Sequence, residues 1–594
     1  MSLTALVPLL LSLGICLIPV WLLRHSGRTR AQDYLVASPH TRPEVVRNAS
    51  IAYALRMVAI GPLFVWGASG ELWPAIVVSA CFGLGIYLIH VLRRPLLEFL
   101  DGALSADESI TVHAFIARQH GNDPRVRMVA ATLTLFALFC LFVGETLALA
   151  AFVRPLVKES ATLTYWLVLG GLLVIALSVI LSGHSGIMHS SQQQLGMLYL
   201  SLFGSTLLLL YLQVSARTPL PSHGTLAVVV AALCSAIVLG YRSSKYIDTG
   251  PVRGATASAE PLCARGLSRF EKILNVLLSI LLILIILLAI VELHTAGWPN
   301  VMRDSAAALK SATRIPGVGL VALGLLPLFY PLTDITNWLR LAATQKETAR
   351  VEPRQRSAVL RGVFGIYAAE TSLMLLFMCM FGAIAATAVA TKAGSDIPKA
   401  FVAQLIAADN AASVVTLTLF LICVFMVALS TMSAMFTACL STVRYDVLET
   451  LWPELAPGNA QASTESTARH RSLIASVALV LAAATAFCIA DTFSQIDFTG
   501  STFVALLSAL CCAQLSFAPL ILGAILGRKP GGVRSVSPRW AMIILVSGAV
   551  TGVAAVVIYL VTGVEAWLWS ASPACLGSGG VLFIIARATS RRPA

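Results

Sequence analysis

The segment from Val427 to Asp446, VALSTMSAMFTACLSTVRYD, lies near the end of an apolar run that begins at about Val414. A helix in lipid does not need hydroxyl groups, yet this one carries Ser430, Thr431, Ser433, Thr437, Ser441 and Thr442. Ser430 and Thr431 point about 100° apart on a helix, so both can touch one ion whose other ligands come from a neighbouring helix. A dehydrated Na⁺ prefers such oxygen ligands. The alternative is that these hydroxyls bond their own helix or join neighbouring helices.

The composition indicates a chain that crosses a membrane many times. Its 594 residues are 58% hydrophobic and 12% charged, with a mean hydropathy of +0.85. No water-soluble fold of this length is so poor in charge. We count 15 apolar runs long enough to span a bilayer. The predicted spans are residues 3–23, 47–70, 74–92, 127–153, 163–182, 193–214, 224–241, 271–293, 316–339, 362–389, 412–442, 472–490, 499–526, 540–562 and 566–586.

The net charge of +13 indicates topology rather than a nucleic-acid partner. With the N-terminus outside, the 15 spans place 32 of the 41 Lys and Arg residues inside, 8 outside, and Arg56 within a span. This asymmetry follows the positive-inside rule. We therefore expect a multi-pass protein of the cell (inner) membrane with a cytoplasmic C-terminus.

Two predicted spans contain residues that interrupt helices. The second span has Arg56 in its middle, followed by Gly61-Pro62. The ninth span has Pro327 and Pro331 on either side of Phe329-Tyr330. Proline removes a backbone donor and clashes with the carbonyl four residues earlier, so we expect two broken helices with carbonyls free to bind ions. Interrupted spans at corresponding places in two halves of a chain indicate a binding site between inverted repeats.

Four segments of the chain resemble the sodium/solute symporter family, which includes sodium/proline, sodium/galactose and sodium/pantothenate symporters. They are DYLVAS…NASIAYALRMVAIGPLFVWG, SGHSGIMHSSQQQLGMLYL, LFYPLTDITNWLRLAATQKETAR and ALSTMSAMFTACLSTVRYDVLE, within residues 32–530. The last segment is the most specific, because a Ser-Thr pair stands at this place in the proline symporters.

The resemblance implies an all-α polytopic membrane protein with a LeuT-type five-plus-five inverted-repeat core and about 15 transmembrane helices. The implied divisions are a leading helix with a basic flank (1–31), the first core half (32–216), two extra helices (217–310), the second core half (311–530) and two C-terminal helices (531–594).

The resemblance also implies a Na⁺ site made by main-chain carbonyls of the first core helix and a hydroxyl pair on the eighth. Carried over by position, its residues are Ile51, Ala54, Val427, Ser430 and Thr431.

Other positions of the family pattern bear on the substrate. Tyr330 falls where the galactose symporter has an aromatic gate beside the sugar. The polar sugar-binding positions near Val58 and Pro327 are apolar here, which argues against a sugar. Ser191 stands where the family has Asp, and Leu339 where it has Gln, so a third cation site is not implied.

Charged residues inside spans are costly and are therefore candidate functional residues. Arg56 is predicted to recognise a substrate carboxylate, because its guanidinium can bind one with two hydrogen bonds. The alternative is a structural salt bridge to Glu145 or Glu370, which are themselves candidate substrate-binding residues. Asp334 is predicted to be a gate residue paired with Arg340.

The leading hypothesis is a Na⁺-coupled symporter of a small organic solute, an amino acid or a monocarboxylate, that works by alternating access. Two alternatives stay open: a transporter-like sensor with a separate partner protein, and a proton-coupled symporter with Glu145 or Glu370 as the carrier. No HExxH, GxSxG or phosphate-loop motif is present, so an enzyme is not expected. The predicted partners are the solute and the lipid bilayer, and the oligomeric state is open.

Overall fold

The computed structural model is helical throughout the part of the chain that it describes. That part is residues 3–23, 43–92, 96, 98–100, 110–158, 160–216, 222–247, 262–310, 315, 317–348, 353–388, 397–408, 410–452, 511–526 and 536–589. The helices are α1 Leu3–Leu23, α2 Pro43–Ala54, α3 Met57–Ser69, α4 Leu72–Val91, α5 Val112–Gln119, α6 Pro124–Val153, α7 Ala161–Ala216, α8 Ser222–Ile247, α9 Leu262–Ala296, α10 Trp298–Lys310, α11 Gly317–Thr333, α12 Ile335–Thr348, α13 Pro353–Ala388, α14 Ile397–Ala407, α15 Ala411–Ser441, α16 Ala518–Leu526, α17 Pro538–Thr562 and α18 Glu565–Thr589.

The described residues contain 10 helical segments long and apolar enough to cross a membrane, or up to 12 if each of two bent pairs is one span. This agrees with the predicted polytopic membrane protein. The predicted span at residues 472–490 lies outside the described residues, as does the first part of the span at 499–526. The division into core halves and extra helices stays a prediction.

Both predicted broken helices are present, but neither breaks at its prolines. Helices α2 and α3 meet at an angle of 57°, and α11 and α12 at 45°. The first break lies at Leu55-Arg56, upstream of Gly61-Pro62, and the second lies at Asp334, downstream of Pro331. A proline disturbs the carbonyl four residues earlier, which for Pro62 belongs to the first turn of α3. The break at Leu55-Arg56 comes just before this turn of α3, rather than at Pro62 itself.

The polar segment between the predicted spans 163–182 and 193–214 is helical and belongs to α7. Its side chains His184, Ser190, Ser191 and Gln194 are all buried. These polar groups therefore lie inside the helical bundle, where each one needs a partner.

Close approach of α3 to α13 depends on two glycines. A Cβ atom at Gly67 would overlap the carbonyl oxygen of Cys379, and one at Gly382 would overlap the carbonyl oxygen of Phe64. Membrane helices associate through such contacts between small residues and the facing backbone. The two contacts hold α3 against α13 and so help to position the first break.

The far end of α15 is held by a buried carboxylate. The helix continues as a π-helical segment, Thr442–Leu448, in which Asp446 is fully buried. Asp446 accepts hydrogen bonds from Thr111 Oγ1 at 2.6 Å, His113 Nδ1 at 2.8 Å and Arg127 Nε at 2.8 Å. These bonds join α15 to the segment that begins α5 and to the first turn of α6.

Candidate ion and substrate site

The first break leaves two main-chain carbonyls without helical partners. Arg56 has an extended backbone, with φ −89° and ψ 148°. Its N–H group donates to the Ala54 carbonyl at 3.0 Å, and the N–H group of Met57 turns towards a side chain of α6. In a continuous helix these two groups would bond the carbonyls of Ala52 and Tyr53. Among the described residues, neither carbonyl receives another main-chain bond.

Glu145 supplies the acceptor for the first N–H group of α3. Its Oε2 atom accepts a hydrogen bond from the N–H group of Met57 at 2.9 Å, and the side chain is fully buried. A carboxylate is stabilised at this position by the N-terminal end of the helix dipole. Glu370, on α13, accepts a hydrogen bond from the Tyr199 hydroxyl at 2.8 Å. Neither of these carboxylates is the ion-pair partner of Arg56.

The ion-pair partner of Arg56 is Asp334, which stands at the second break. Arg56 Nη2 lies 2.8 Å from Asp334 Oδ2, and Arg56 Nη1 donates to the Tyr330 hydroxyl at 2.8 Å. All three side chains are buried. The predicted pair between Asp334 and Arg340 is therefore wrong. Asp334 stands at the break, before α12 begins, and its two carboxylate oxygens bind Arg56 and the N–H group of Thr336.

Two tyrosine rings and two guanidinium groups form a continuous stack. The Arg56 guanidinium carbon lies 4.1 Å from the ring centroid of Tyr53 and 4.6 Å from that of Tyr330. The guanidinium carbon of Arg340 lies 4.4 Å from the same Tyr53 ring. Such cation–π contacts strengthen when they are desolvated. We call Tyr330, Arg56, Tyr53 and Arg340 the Arg–Tyr column.

The second break is satisfied by side chains from its own segment. Asn337 Nδ2 donates to the Pro331 carbonyl at 3.0 Å, and Trp338 Nε1 donates to the Leu332 carbonyl at 2.8 Å. These carbonyls end α11 and would otherwise be left without donors. Side chains from the first turn of α12 therefore supply donors to the Pro331 and Leu332 carbonyls at the break.

The two predicted Na⁺-binding hydroxyls, of Ser430 and Thr431, differ from other hydroxyls of the same helix in their hydrogen-bond partners. Thr416, Thr418, Ser433, Thr437 and Thr442 each donate to the carbonyl four residues back, at 2.6–2.9 Å. Ser430 instead lies 3.5 Å from the Ser191 hydroxyl on α7. The hydroxyl of Thr431 is buried and has no hydrogen-bond partner. The alternative explanation for the pair is that its hydroxyls bond carbonyls of their own helix. Thr431 makes no such bond.

The main-chain atoms of the predicted Na⁺ site lie on helices that contact one another. Helix α15 contacts both α2 and α7, and Ile51, Ala54 and Val427 are buried. The carbonyls of Ile51 and Ala54 each accept one main-chain bond, at 3.2 and 3.0 Å, and each keeps a second lone pair. The donor set consists of hydroxyl and carbonyl oxygens without sulfur, which fits a hard cation.

The space beside the first break is closed. A cavity of about 10 Å³ is lined by apolar side chains that include Met57, Ile60 and Val427, and it has room for about one water molecule. A cluster of phenylalanines covers one side of it, with ring centroids 5.2–6.3 Å apart: Phe64, Phe152, Phe381, Phe401 and Phe420.

Comparison with known proteins supports the fold. No protein-family model matches the chain, and no curated protein matches it. A solved structure of a Na⁺-coupled sialic acid symporter, in its substrate-bound outward-open state, matches with a TM-score of 0.56 and 11% sequence identity over 98% of each chain. The chain therefore shares the fold of that symporter, and the predicted fold class is confirmed. A closer relation to proline symporters stays a prediction.

Proposed function

We propose that this protein is a Na⁺-coupled symporter of a small organic solute, in the sodium/solute symporter family that its motifs resemble. The observation that carries the proposal is the Ser430-Thr431 pair. Thr431 is buried without a partner, whereas five neighbouring hydroxyls bond their own helix. Helix α15, which carries the pair, contacts α2, the helix that ends at the first break. The likeness to the fold of a Na⁺-coupled symporter supports the same function.

In this proposal Na⁺ joins α15 to the first broken helix. Ser430, Thr431 and the Val427 carbonyl are the ligands from α15. Helix α2 supplies carbonyls from Ile51 to Ala54, a stretch that includes the two carbonyls without helical partners. Solute binds between the two breaks, and the coupling is reciprocal, so solute raises the affinity for Na⁺ by the factor that Na⁺ raises the affinity for solute.

The closed space beside the break fits an occluded state of an alternating-access cycle. Ligand pockets usually have volumes of about 300–1,000 Å³, far above the cavity of about 10 Å³ seen here. With the predicted topology, N-terminus outside and C-terminus in the cytoplasm, the phenylalanine cluster is the outer barrier. Solute entry then requires α3, α14 and α15 to separate at that cluster.

The test compares Thr431→Ala with Thr437→Ala in purified protein. Both threonines are buried on α15, but Thr437 bonds the Ser433 carbonyl at 2.9 Å. Thermal unfolding is measured in Na⁺ and in K⁺ at equal ionic strength. A ligand of the folded state stabilises it by about 2.7 kcal/mol at about 100 times Kd. We expect Na⁺ to stabilise wild type and Thr437→Ala, and to lose most of this effect in Thr431→Ala.

Equal unfolding of wild type in Na⁺ and K⁺ would contradict Na⁺ coupling and favour the proton-coupled alternative. Uptake into proteoliposomes separates transport from sensing. A symporter accumulates solute when an inward Na⁺ gradient is imposed, whereas a sensor binds solute without moving it.

A further inference from the structure

Arg340 is a buried cation that forms no ion pair in the described part of the chain, because its attraction to Asp334 does not bring the two side chains within ion-pair distance. Its side chain is almost fully buried, and its Nη1 atom has no hydrogen-bond partner. None of the ion pairs among the described residues includes Arg340. Burying an unpaired charge is costly, so such a group normally has an anionic partner. Within the described part of the chain no side chain supplies that partner, so the position is open to an anion that binds to the protein.

Other buried donors surround Arg340 and also have no partners. They are the hydroxyls of Tyr53 and Thr336 and the imidazole of His184, whose ring nitrogens both lack partners and of which one carries the N–H group. Tyr53 stacks on Arg340, and its hydroxyl has no hydrogen-bond partner. Thr336 lies one turn before Arg340 on α12, on the same face of the helix. His184, on α7, interacts electrostatically with Arg340. Three elements therefore contribute donors to one place, and no carboxylate there accepts from them.

The nearby carboxylate of Asp334 is already in use. Its Oδ2 atom binds Arg56, and its Oδ1 atom accepts the N–H group of Thr336 at 3.0 Å. The charge of Arg56 is likewise neutralised, because its two terminal nitrogens bind Asp334 and Tyr330, although its Nε atom has no hydrogen-bond partner. Of the two arginines in the Arg–Tyr column, Arg340 is therefore the one available to an incoming anion.

We propose that Arg340 holds the anionic group of the transported solute, with Tyr53, Thr336 and His184 as further hydrogen-bond donors. This inference rests on the proposed transport function and narrows its substrate class to small organic carboxylates. Arg56 then acts as a positioning residue: it stacks on Tyr53 from the Tyr330 side while Asp334 neutralises it. The guanidinium of Arg340 matches the two oxygens of a carboxylate, which explains why an arginine suits this position.

The experiment measures solute binding in Na⁺ by the shift of thermal unfolding. The probes are four carboxylates with their uncharged-group counterparts: propionate and propionamide, L-lactate and L-lactamide, L-proline and L-prolinamide, and N-acetylneuraminate and its methyl ester. The variants are Arg340→Gln, Arg340→Lys and the control Arg361→Gln. Arg361 lies on an exposed face of α13, so its substitution changes the net charge equally without touching the site.

We expect at least one carboxylate to bind wild type and Arg361→Gln, with its counterpart weaker by about tenfold or more. Arg340→Gln should lower the carboxylate affinity by the same factor. Arg340→Lys should lower it less, because lysine keeps the positive charge but cannot donate two parallel hydrogen bonds. Retention of the Na⁺-induced shift in Arg340→Gln shows that the variant is folded. If that variant does not fold, the test uses Arg340→Lys and the ratio of wild-type affinities for each carboxylate and its counterpart.

Three outcomes overturn the inference: counterparts that bind as well as their acids, a carboxylate affinity unchanged in Arg340→Gln, or no response to any of the four acids. Failure of the proposed function has a different signature, which is the absence of a Na⁺-induced shift in wild type without solute. A carboxylate that binds through Arg340 in the absence of a Na⁺ effect would support this inference and contradict Na⁺ coupling.

Discussion

The two broken helices satisfy their interrupted backbones in different ways. At the second break, Asn337 and Trp338 reach back one turn and bond the last carbonyls of α11. At the first break, Glu145 comes from another helix to accept one N–H group, and the carbonyls of Ala52 and Tyr53 receive no main-chain bond. The second break thus pairs the carbonyls of Pro331 and Leu332 with side chains of its own segment, whereas the first uses a side chain of another element.

This difference indicates different roles for the two breaks. Buried carbonyls are nearly always paired, so carbonyls left open inside a protein mark a place for water or an ion. Helix α2, which ends at the first break, contacts α15, on which the Thr431 hydroxyl has no partner, and this is the cation site that we propose. The second break instead provides a rigid base from which Asp334, Thr336 and Arg340 project. The Arg56–Tyr330 hydrogen bond and the stacking of Arg340 on Tyr53 join the two breaks, and so does the ion pair between Arg56 and Asp334.

The largest effect is expected from breaking that connection with Asp334→Asn. Asparagine can still accept the N–H group of Thr336, but Arg56 is left as an uncompensated buried charge. Removing one partner of a buried ion pair costs about 3–5 kcal/mol. We expect a large fall in the midpoint of thermal unfolding, partly restored by replacing Arg56 and Asp334 together with Met and Leu.

Asp304→Asn is the matched control, because it removes the same charge from an exposed pair. Arg303 Nε lies 3.5 Å from Asp304 Oδ1, with side chains 75% and 31% exposed. Exposed pairs contribute about 0–1 kcal/mol. Equal losses in the two variants would mean that the Arg56 pair does not hold the breaks together.

Local patterns in the sequence identify the two broken helices and the Ser430-Thr431 pair. Proline and glycine act on the few residues around them, and adjacent hydroxyls are visible in any membrane helix, so these features need no tertiary information. The exact breaks are less predictable. The interruption at Leu55-Arg56 depends on Glu145, which is 88 residues away from the N–H group it accepts.

The pairing of the buried charges could not be read from the sequence. Arg56 had Glu145 and Glu370 as candidate partners, and Asp334 had Arg340, yet Arg56 and Asp334 pair across 278 residues. Which face each charge occupies follows from the angle at each break, and that angle is set by tertiary packing. Tyr53, Thr336 and His184 lie within the segments that carry the family resemblance, but it is their common burial beside Arg340 that identifies them as a group.

A smaller loss of stability is expected when a hydrogen bond at the second break is removed. Trp338→Phe keeps an aromatic ring against Phe115, whose centroid lies 5.1 Å away, but removes the donor to the Leu332 carbonyl. An unsatisfied buried carbonyl costs about 1–3 kcal/mol. Trp569→Phe is the control, because Trp569 is buried and its Nε1 atom has no partner. If Trp338→Phe lost no more stability than Trp569→Phe, the hydrogen bond from Trp338 to the Leu332 carbonyl would not stabilise the break.

The smallest effect is expected from Glu145→Gln at the first break. Glutamine still offers an oxygen to the N–H group of Met57, so this hydrogen bond is kept, and the interaction of the charge with the helix dipole, about 0.3–1 kcal/mol, is lost. Glu145→Leu also removes the acceptor and should cost about 1–3 kcal/mol. Thermal unfolding in Na⁺ and K⁺ measures both losses, and the Na⁺-induced shift should survive in Glu145→Gln because carbonyls and hydroxyls bind the ion. A larger loss in Glu145→Gln than in Asp334→Asn would reverse the comparison, because the carboxylate of α6 rather than the ion pair would then be the main support of the first break.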